Sequence, residues 1–273
     1  MTQGHDITAW DGLSVRVTEW GGGSGMPLLC LPGLVRTAGD FAAVAARHGA
    51  GRRVVALDYI GRGASARASV ARYAPEAMLR DVMDVCAAVH LHRAVVIGTS
   101  FGGLLAMALG AARPGLLAGV VLNDVGPEIG TAGTDLVRRF VAEDPALPDL
   151  DAAGAHLRRF LPDLSLHSDA EWREFAALTY APGPDGRWHP LWDTRIARTL
   201  AAKVPDLWPL FGALAQVPLL LVHGGRSTLL LAATVARMRA ARPDMAVATV
   251  PESGHAPTLA EPEAVAALAD FLR

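Results

Sequence analysis

A serine between two glycines is the residue whose surroundings most clearly favour chemistry. Ser100 stands in the sequence GTSFG, residues 98–102, directly after a run of Val and Ile and just before a helical pattern of small residues. The G-x-S-x-G spacing at a strand-to-helix turn is typical of a nucleophile elbow, because glycines remove side chains that would collide across the turn. The sequence predicts a strained, exposed and nucleophilic Ser100. The alternative is a glycine-rich turn whose serine only caps the helix.

A serine nucleophile needs a neighbouring base, because its hydroxyl is a weak nucleophile at its ordinary pKa. Histidine, with a pKa near neutrality, can take the proton and return it. Of the nine histidines, His255 alone lies in a turn after the last predicted strand, in ESGHAP. His223 ends a strand and is expected to pack behind a site or line a pocket. The others are expected on surface loops: His5, His48, His90, His92, His156, His167 and His189.

Composition favours a compact protein that acts on a small molecule. The 273 residues are 51% hydrophobic and 19% charged, which suits one large domain with a sizeable core. A formal net charge of -2 gives no electrostatic reason to expect nucleic acid or a membrane as partner. The start of the chain lacks a signal-peptide pattern, so we expect a cytoplasmic location. Cys30 and Cys86 are expected to be buried thiols, and neither a CxxC nor an HExxH pattern indicates a metal.

Alternating strands and helices are predicted to position the candidate residues. Residues 7–20 are predicted to form two strands around the Asp11–Gly12 turn, and an amphipathic helix is predicted over 75–91. Further helices are predicted at about 229–241 and 262–272. Buried strands are predicted at residues 27–31, 53–58, 94–98, 119–124, 217–224 and 245–250. This alternation is typical of an α/β fold with a mostly parallel sheet and helices on both faces.

The alternation breaks between residues 128 and 212. This stretch has no convincing buried strand and several helical patterns, one of which begins with a capping box at Ser168 and Glu171. We predict a core of residues 1–127 and 213–273 with a helical insertion over 128–212. Either its tryptophans form an aromatic wall over a ligand pocket, with Trp192 and Trp208 binding substrate, or they build the core of the insertion.

Five motifs occur in order at the ends of the predicted strands. They are LPGL at 31–34, DYIGRGAS at 58–65, GTSFGG at 98–103, LNDVGPE at 122–128 and SGHAP at 253–257. In this order they resemble the alpha/beta-hydrolase family over nearly the whole chain. The resemblance implies a Ser–acid–His triad, with His255 as its imidazole, and a cap between the sixth and seventh strands, where 128–212 falls. Asp58 is expected to be a structural carboxylate at a strand end.

The resemblance also implies two backbone donors for the oxyanion that develops during acyl transfer. They are the N–H groups of Phe101, which follows the nucleophile, and of Leu34, which follows Gly33. Many relatives carry His-Gly in this loop where this chain has Pro32 and Gly33. The difference leaves the Leu34 N–H available, so we expect both donors to be present.

The acid of the triad is where the chain departs from the family pattern. Relatives usually carry Asp just after the strand that ends near residue 224, whereas this chain has Thr228 at the aligned position. A threonine hydroxyl can orient an imidazole but cannot stabilise its positive form as a carboxylate does. Asp124, at the end of the preceding strand, is therefore favoured as the acid. The alternative is a turn residue that caps the following segment.

Together these features predict a serine hydrolase that needs no cofactor and cleaves a small to medium uncharged ester or lactone. Ser100 would attack the carbonyl, His255 would transfer the proton, and the Leu34 and Phe101 N–H groups would bind the oxyanion. One alternative is carbon–carbon bond hydrolysis of a diketone-like substrate with the same triad. Another is a vestigial hydrolase that only binds a ligand, for which Thr228 is the indication. The sequence does not indicate the natural substrate or the oligomeric state.

Overall fold

The computed structural model describes residues 2–201 and 205–273 and centres on one large β-sheet. The strands in chain order are β1 (Thr2–Thr8), β2 (Ser14–Gly21), β3 (Gly25–Leu31), β4 (Arg52–Leu57), β5 (Ala94–Thr99), β6 (Leu117–Asn123), β7 (Tyr180–Pro182), β8 (Trp188–Pro190), β9 (Leu219–Gly224) and β10 (Ala246–Val250). The helices are α1 (Ala42–His48), α2 (Pro75–Ala88), α3 (Phe101–Ala112), α4 (Thr131–Ala142), α5 (Leu150–Phe160), α6 (Asp169–Ala177), α7 (Trp208–Gly212), α8 (Ala232–Ala241) and α9 (Pro262–Phe271).

Eight strands form the large sheet in the order β1-β2-β4-β3-β5-β6-β9-β10. The β1–β2 and β2–β4 pairs are antiparallel, and the remaining pairs are parallel. Alternate residues of a strand enter two separate apolar clusters: Leu29 and Leu31 of β3 belong to one, Leu28 and Cys30 to the other. Both faces of the sheet are therefore covered by apolar side chains, which confirms the predicted α/β fold with a mostly parallel sheet.

The segment between β6 and β9 interrupts the alternation of strand and helix, as the sequence indicates. It contains α4 to α7, and α6 begins with the capping box: the Ser168 hydroxyl accepts from the Glu171 N–H, and the Glu171 carboxylate accepts from the Ser168 N–H. The segment also contains the partly buried strands β7 and β8, which form an antiparallel hairpin that the sequence did not predict. Strands of three residues are too short to show a periodic pattern.

The described residues bear on the two thiols, on membrane-spanning helices and on metal clusters. Cys30 and Cys86 are both buried free thiols, as predicted. In residues 2–201 and 205–273, no helix is long and apolar enough to cross a membrane. The same residues contain no cluster of three His, Cys, Asp or Glu side chains that could hold a metal ion. The cytoplasmic location stays a prediction.

Candidate active site

Ser100 occupies the sharp turn between β5 and α3. Its backbone has φ 52° and ψ -116°, a conformation that L-residues rarely adopt and that costs about 1–3 kcal/mol. The Ser100 N–H donates to the Asn123 carbonyl at 2.9 Å, which ties the turn to the end of β6. The strained elbow that the sequence predicts is therefore present, and Ser100 stands at the carboxyl edge of the parallel strands.

The glycines of the elbow are required by close approach of the backbone. A Cβ on Gly98 would lie 2.5 Å from the Gly102 carbonyl oxygen, and a Cβ on Gly102 would lie 2.0 Å from the Leu31 carbonyl oxygen. Side-chain carbons essentially never approach other atoms to within 3.0 Å. Any residue larger than glycine would therefore push α3 away from the sheet and displace Ser100.

Three side chains form a continuous line of hydrogen bonds at this edge. His255 Nε2 lies 2.8 Å from Ser100 Oγ, and His255 Nδ1 lies 2.7 Å from Asp124 Oδ2. The Asp124 side chain is fully buried, while 19% of the His255 side chain is exposed. When the imidazole is neutral, its Nδ1–H donates to the Asp124 carboxylate, which leaves the Nε2 lone pair directed at the serine hydroxyl. The arrangement can therefore remove the hydroxyl proton of Ser100.

Asp124 is held in place by β9 through backbone hydrogen bonds. Its N–H donates to the Val222 carbonyl at 2.8 Å, and its Oδ1 accepts from the Gly224 N–H at 2.8 Å. One carboxylate oxygen is thus fixed by the sheet, and the other faces His255. Thr228 lies on the loop that follows β9, where it lines a cavity beside His255. Of the two positions weighed for the acid, the structure brings the carboxylate at Asp124 into contact with the imidazole.

The loop that carries His255 is attached on two sides. The Asn123 side-chain amide donates to the Pro257 carbonyl at 2.9 Å and to the Thr99 hydroxyl at 3.1 Å. The Gly254 N–H donates to the carbonyl of Asp163 at 2.5 Å, in the segment that follows α5. The sequence analysis did not predict a role for Asn123. Its position next to Asp124 in LNDVGPE is the feature that could have indicated one. Asn123 fixes the histidine loop against β5.

The two predicted oxyanion donors belong to the elbow and to the LPGL loop, whose backbone packs against Gly102. Phe101 is the first residue of α3, and the first amides of a helix have no acceptor within it. Leu34 follows β3 in the LPGL loop, where the Gly33 carbonyl accepts from the Arg36 N–H at 3.1 Å. In the described chain, no protein acceptor takes the Leu34 N–H. Both amides are thus available to a ligand.

An apolar cavity lies beside His255, under the segment between β6 and β9. Its wall comes from α4, from the residues after α5, and from the loop after β9. The lining residues are Gly133, Leu136, Val137, Phe140, Phe160, Leu161, Pro162, Asp163, Leu164, Arg226, Thr228, Leu229, Gly254 and His255. Among these described residues, Arg226 and Asp163 carry opposite charges 3.9 Å apart, and the Arg226 guanidinium also pairs with Glu252. The cavity therefore suits an uncharged chain next to the histidine.

Trp192 and Trp208 are not among the residues that line this cavity. Trp192 is 2% exposed, donates from Nε1 to the Val141 carbonyl at 2.9 Å, and packs on Phe140 and Tyr180. Trp208 donates to the Glu128 carboxylate and lies under the guanidinium of Arg237. Their placement fits the alternative in which large aromatic side chains build the core of the inserted segment. The walls beside His255 are formed by Leu and Phe side chains instead.

The remaining candidates lie away from the reacting groups. His223 is buried at the end of β9, with Nε2 3.1 Å from the Leu230 carbonyl. The surface-loop expectation is wrong for His156, which is buried on α5 against Phe160 and Tyr180. His5, His48 and His189 also lie outside loops, on β1, α1 and β8. Asp58 is buried and accepts the N–H groups of Ala38 and Ala64. Burial raises the pKa of the Asp58 carboxyl, which fits the predicted structural role.

Comparison with known proteins identifies the family of this chain. The sequence model of the alpha/beta hydrolase family matches residues 28–268, from β3 to α9. The chain belongs to the alpha/beta hydrolase family. An alpha/beta hydrolase from Novosphingobium aromaticivorans, of known crystal structure, is 38% identical with a TM-score of 0.94, covering 99% of this chain and 98% of that one. The chain is therefore a hydrolase with the fold that the five motifs predict.

Two characterised members of the family are similar over most of their length. The 3-hydroxybutyrate-oligomer hydrolase of Cupriavidus necator is 30% identical over 266 residues, which cover 93% of this chain and 90% of the relative. The 2-(acetamidomethylene)succinate hydrolase of Mesorhizobium japonicum is 28% identical over 243 residues, which cover 88% of this chain and 85% of the relative. The relatives are hydrolases of different small molecules, so the family alone does not select the bond that is cleaved.

Proposed function

We propose that this protein is a serine hydrolase that cleaves carboxylic esters through an acyl-enzyme. The observation that carries the proposal is the line of hydrogen bonds from Ser100 through His255 to the buried carboxylate of Asp124, at 2.8 and 2.7 Å. A nucleophile, a base and an orienting acid are within hydrogen-bond reach of one another, which is the arrangement that acyl transfer needs. The two free amides of Leu34 and Phe101 supply the site for the oxyanion.

The proposed reaction has two halves. Ser100 Oγ attacks the ester carbonyl while its proton moves to His255 Nε2, and the carbonyl electron pair becomes an oxyanion held by the two amides. As the oxyanion collapses, the bond to the alcohol breaks and the imidazolium returns its proton to the leaving oxygen. Water then attacks the acyl-enzyme with His255 as base and releases the acid. Asp124 stabilises the imidazolium in both halves.

The geometry argues against a vestigial hydrolase. That hypothesis rests on the absence of a carboxylate at Thr228, and the contact between Asp124 and His255 supplies a carboxylate by another route. The strained backbone of Ser100 supports the same conclusion, because backbone strain of this kind clusters at functional sites.

The cavity beside His255 supports an uncharged chain next to the scissile bond. We propose that the segment between β6 and β9 acts as the cap, and that Leu136 and Phe160 contact the acyl or alcohol chain of the substrate. The similarity to 3-hydroxybutyrate-oligomer hydrolase favours esters of short hydroxy acids, whose units are joined through carboxylic ester bonds. The substrate class is thus a small to medium carboxylic ester, with lactones as a related possibility.

A substrate panel tests the proposed reaction. It contains p-nitrophenyl esters of graded chain length, a 3-hydroxybutyrate dimer, lactones and a diketone, each assayed with the purified chain. We expect the esters to be cleaved and a fluorophosphonate probe to label Ser100. Faster cleavage of the diketone would instead establish carbon–carbon bond hydrolysis. A chain that turns over no compound and takes no label would contradict the proposal.

Filling the cavity is expected to change the chain-length preference. Leu136 lines the cavity from α4, so Leu136→Trp should fill part of it and lower kcat/KM for octanoate or decanoate esters by about 10- to 100-fold, while acetate changes little. The measurement is the ratio of kcat/KM values for long and short p-nitrophenyl esters. Leu210→Trp is the matched control, because Leu210 is a half-buried leucine on α7 outside the lining. Equal ratios in both variants would contradict the assignment.

A further inference from the structure

The loop that carries the Leu34 amide is fixed by two side chains of the DYIGRGAS motif. The Tyr59 hydroxyl donates to the Pro32 carbonyl at 3.1 Å, and Arg62 Nε donates to the Leu34 carbonyl at 2.7 Å. These carbonyls precede and follow the Gly33–Leu34 peptide, whose N–H is the proposed oxyanion donor. The tilt of that peptide, and hence the direction of its N–H, is therefore set from both sides.

Tyr59 also contacts the residue that supplies the second donor. Its ring meets the Phe101 ring edge to face, with the centroids 5.7 Å apart and the planes at 89°. Tyr59 is completely buried, so its ring and hydroxyl have one fixed position between the LPGL loop and the start of α3. One side chain thus touches the segments that carry both proposed donors.

Burial of the Arg62 guanidinium costs free energy unless hydrogen bonds or an opposite charge compensate it. The residue is 1% exposed, and within the described chain no carboxylate lies at ion-pair distance from it. Burial lowers its pKa to about 10. Arg62 Nε and Nη1 donate to the Leu34 and Ile60 carbonyls, each at 2.7 Å. The guanidinium carbon lies 5.9 Å from the Tyr59 ring centroid and 5.7 Å from that of Tyr73, while Nη2 is buried without a hydrogen-bond partner among the described residues. A buried apolar residue would fill this space at lower cost, but it could not hold the Leu34 carbonyl.

The motif is itself fixed by the segment between β6 and β9. The Gly63 N–H donates to the Leu191 carbonyl at 2.6 Å, and the Asp193 N–H donates to the Gly61 carbonyl at 2.8 Å. Between these bonds, Arg62 pairs with Trp192 as an antiparallel bridge. The backbone that carries the Arg62 side chain is therefore fixed by these contacts, while the guanidinium extends to the LPGL loop.

We propose that Tyr59 and Arg62 form an oxyanion clamp: positioning residues that aim the Leu34 and Phe101 amides at the oxyanion. This inference rests on the proposed function. Because misplacing a group by about 1 Å can cost about 100-fold in rate, loosening the clamp should lower kcat much more than it raises KM. A purely structural role would lower stability and leave binding of the oxyanion unchanged.

A pair of ketones measures oxyanion binding directly. A trifluoromethyl ketone forms a hemiketal: Ser100 Oγ bonds to the carbonyl carbon, the hydroxyl proton moves to His255 Nε2, and the carbonyl oxygen becomes an oxyanion. The matching methyl ketone, with the same chain, binds without this addition. The ratio of the two inhibition constants therefore reports the stabilisation of the oxyanion and cancels binding of the chain.

The clamp variants are Tyr59→Phe, which removes one hydroxyl, and Arg62→Lys, which keeps the charge but loses the planar fork. We expect the preference for the trifluoromethyl ketone to fall about 3- to 10-fold in Tyr59→Phe and about 10- to 100-fold in Arg62→Lys, with kcat/KM falling in parallel. Tyr59→Phe is the less disruptive of the two, so it decides the outcome if Arg62→Lys does not fold.

A matched control carries the same chemical change elsewhere. Arg242→Lys alters a buried arginine that donates to the carbonyls of Leu214 and Val217. It should keep the preference of the parent even where it lowers the melting temperature.

Each failure has its own signature. Folded Tyr59→Phe and Arg62→Lys proteins with the preference of the parent would overturn the clamp and leave the proposed function standing. A parent that shows no preference, or a preference that survives Ser100→Ala, would overturn the proposed function and the clamp with it.

Discussion

Ser100→Ala is expected to lower kcat for the best ester of the panel by about 10⁶-fold, the scale of the loss when the nucleophile of a serine protease is removed. The change removes one hydroxyl, which lies 2.8 Å from His255 Nε2, and leaves the glycines of the elbow in place. The fold should therefore persist. The measurement combines steady-state kinetics, thermal unfolding and labelling by a fluorophosphonate.

Ser69→Ala is the matched control for this variant, because Ser69 is an exposed serine ahead of a 3₁₀ turn, and its side chain makes no capping hydrogen bond. It should keep the activity and the label of the parent. If purified Ser100→Ala retains turnover within about tenfold of the parent, the assignment of the nucleophile is wrong, since no single remaining group could replace it.

Asp124→Asn is expected to lower kcat by about 10⁴-fold while the fold is kept. The same substitution of the triad acid in a serine protease has an effect of this size. The amide oxygen can still accept the Gly224 N–H, but the amide nitrogen then faces His255 Nδ1. That nitrogen is a donor, so the imidazole must present a lone pair there and turn its N–H toward Ser100. The wrong tautomer cannot take the proton of the serine, and the imidazolium loses its counter-charge.

The Thr228→Asp substitution tests whether Asp124 is the acid of the triad or only a residue of the turn after β6. Thr228 lines the same cavity as His255, so a carboxylate there should restore part of the activity in the Asp124→Asn background and do little in the parent. Two results would contradict the role of Asp124: near-parental kcat in Asp124→Asn, or a parent whose rate rises by orders of magnitude on Thr228→Asp alone. Either would mean that the triad of the parent is incomplete.

The fold was predictable where buried apolar runs are long. The runs at residues 94–98 and 119–124 correspond to β5 and β6, whose observed bounds are Ala94–Thr99 and Leu117–Asn123. The β7–β8 hairpin was missed because its pairing is set by a turn and by contacts with Leu147, which bridges to Trp188, and not by a pattern within the strands.

The candidate site was predictable to the extent that its residues stand in local motifs. Ser100 and His255 follow from sequence context, and Asp124 follows from the rule that neighbouring parallel strands end at one edge. The contacts of Tyr59 and Arg62 with the LPGL loop join residues 27 and 28 positions apart, and no local pattern encodes them. The choice between an aromatic wall and a core position for Trp192 could not be made from the sequence for the same reason: burial of a tryptophan depends on the partners that the fold brings to it.

The backbone anchoring of Asp124 separates two tasks that a single loop often performs together. Because the main chain of β9 holds Asp124 at Val222 and Gly224, the loop at residues 225–231 does not have to supply the carboxylate that contacts His255. Thr228 and Leu229 on that loop face the cavity instead. Under the proposed assignment, substitutions at Thr228 and Leu229 can change which substrate chains fit without removing a group that takes part in the proton transfer. The preference for one substrate chain over another can thus change, in evolution or by engineering, while the residues that carry out the proton transfer stay the same.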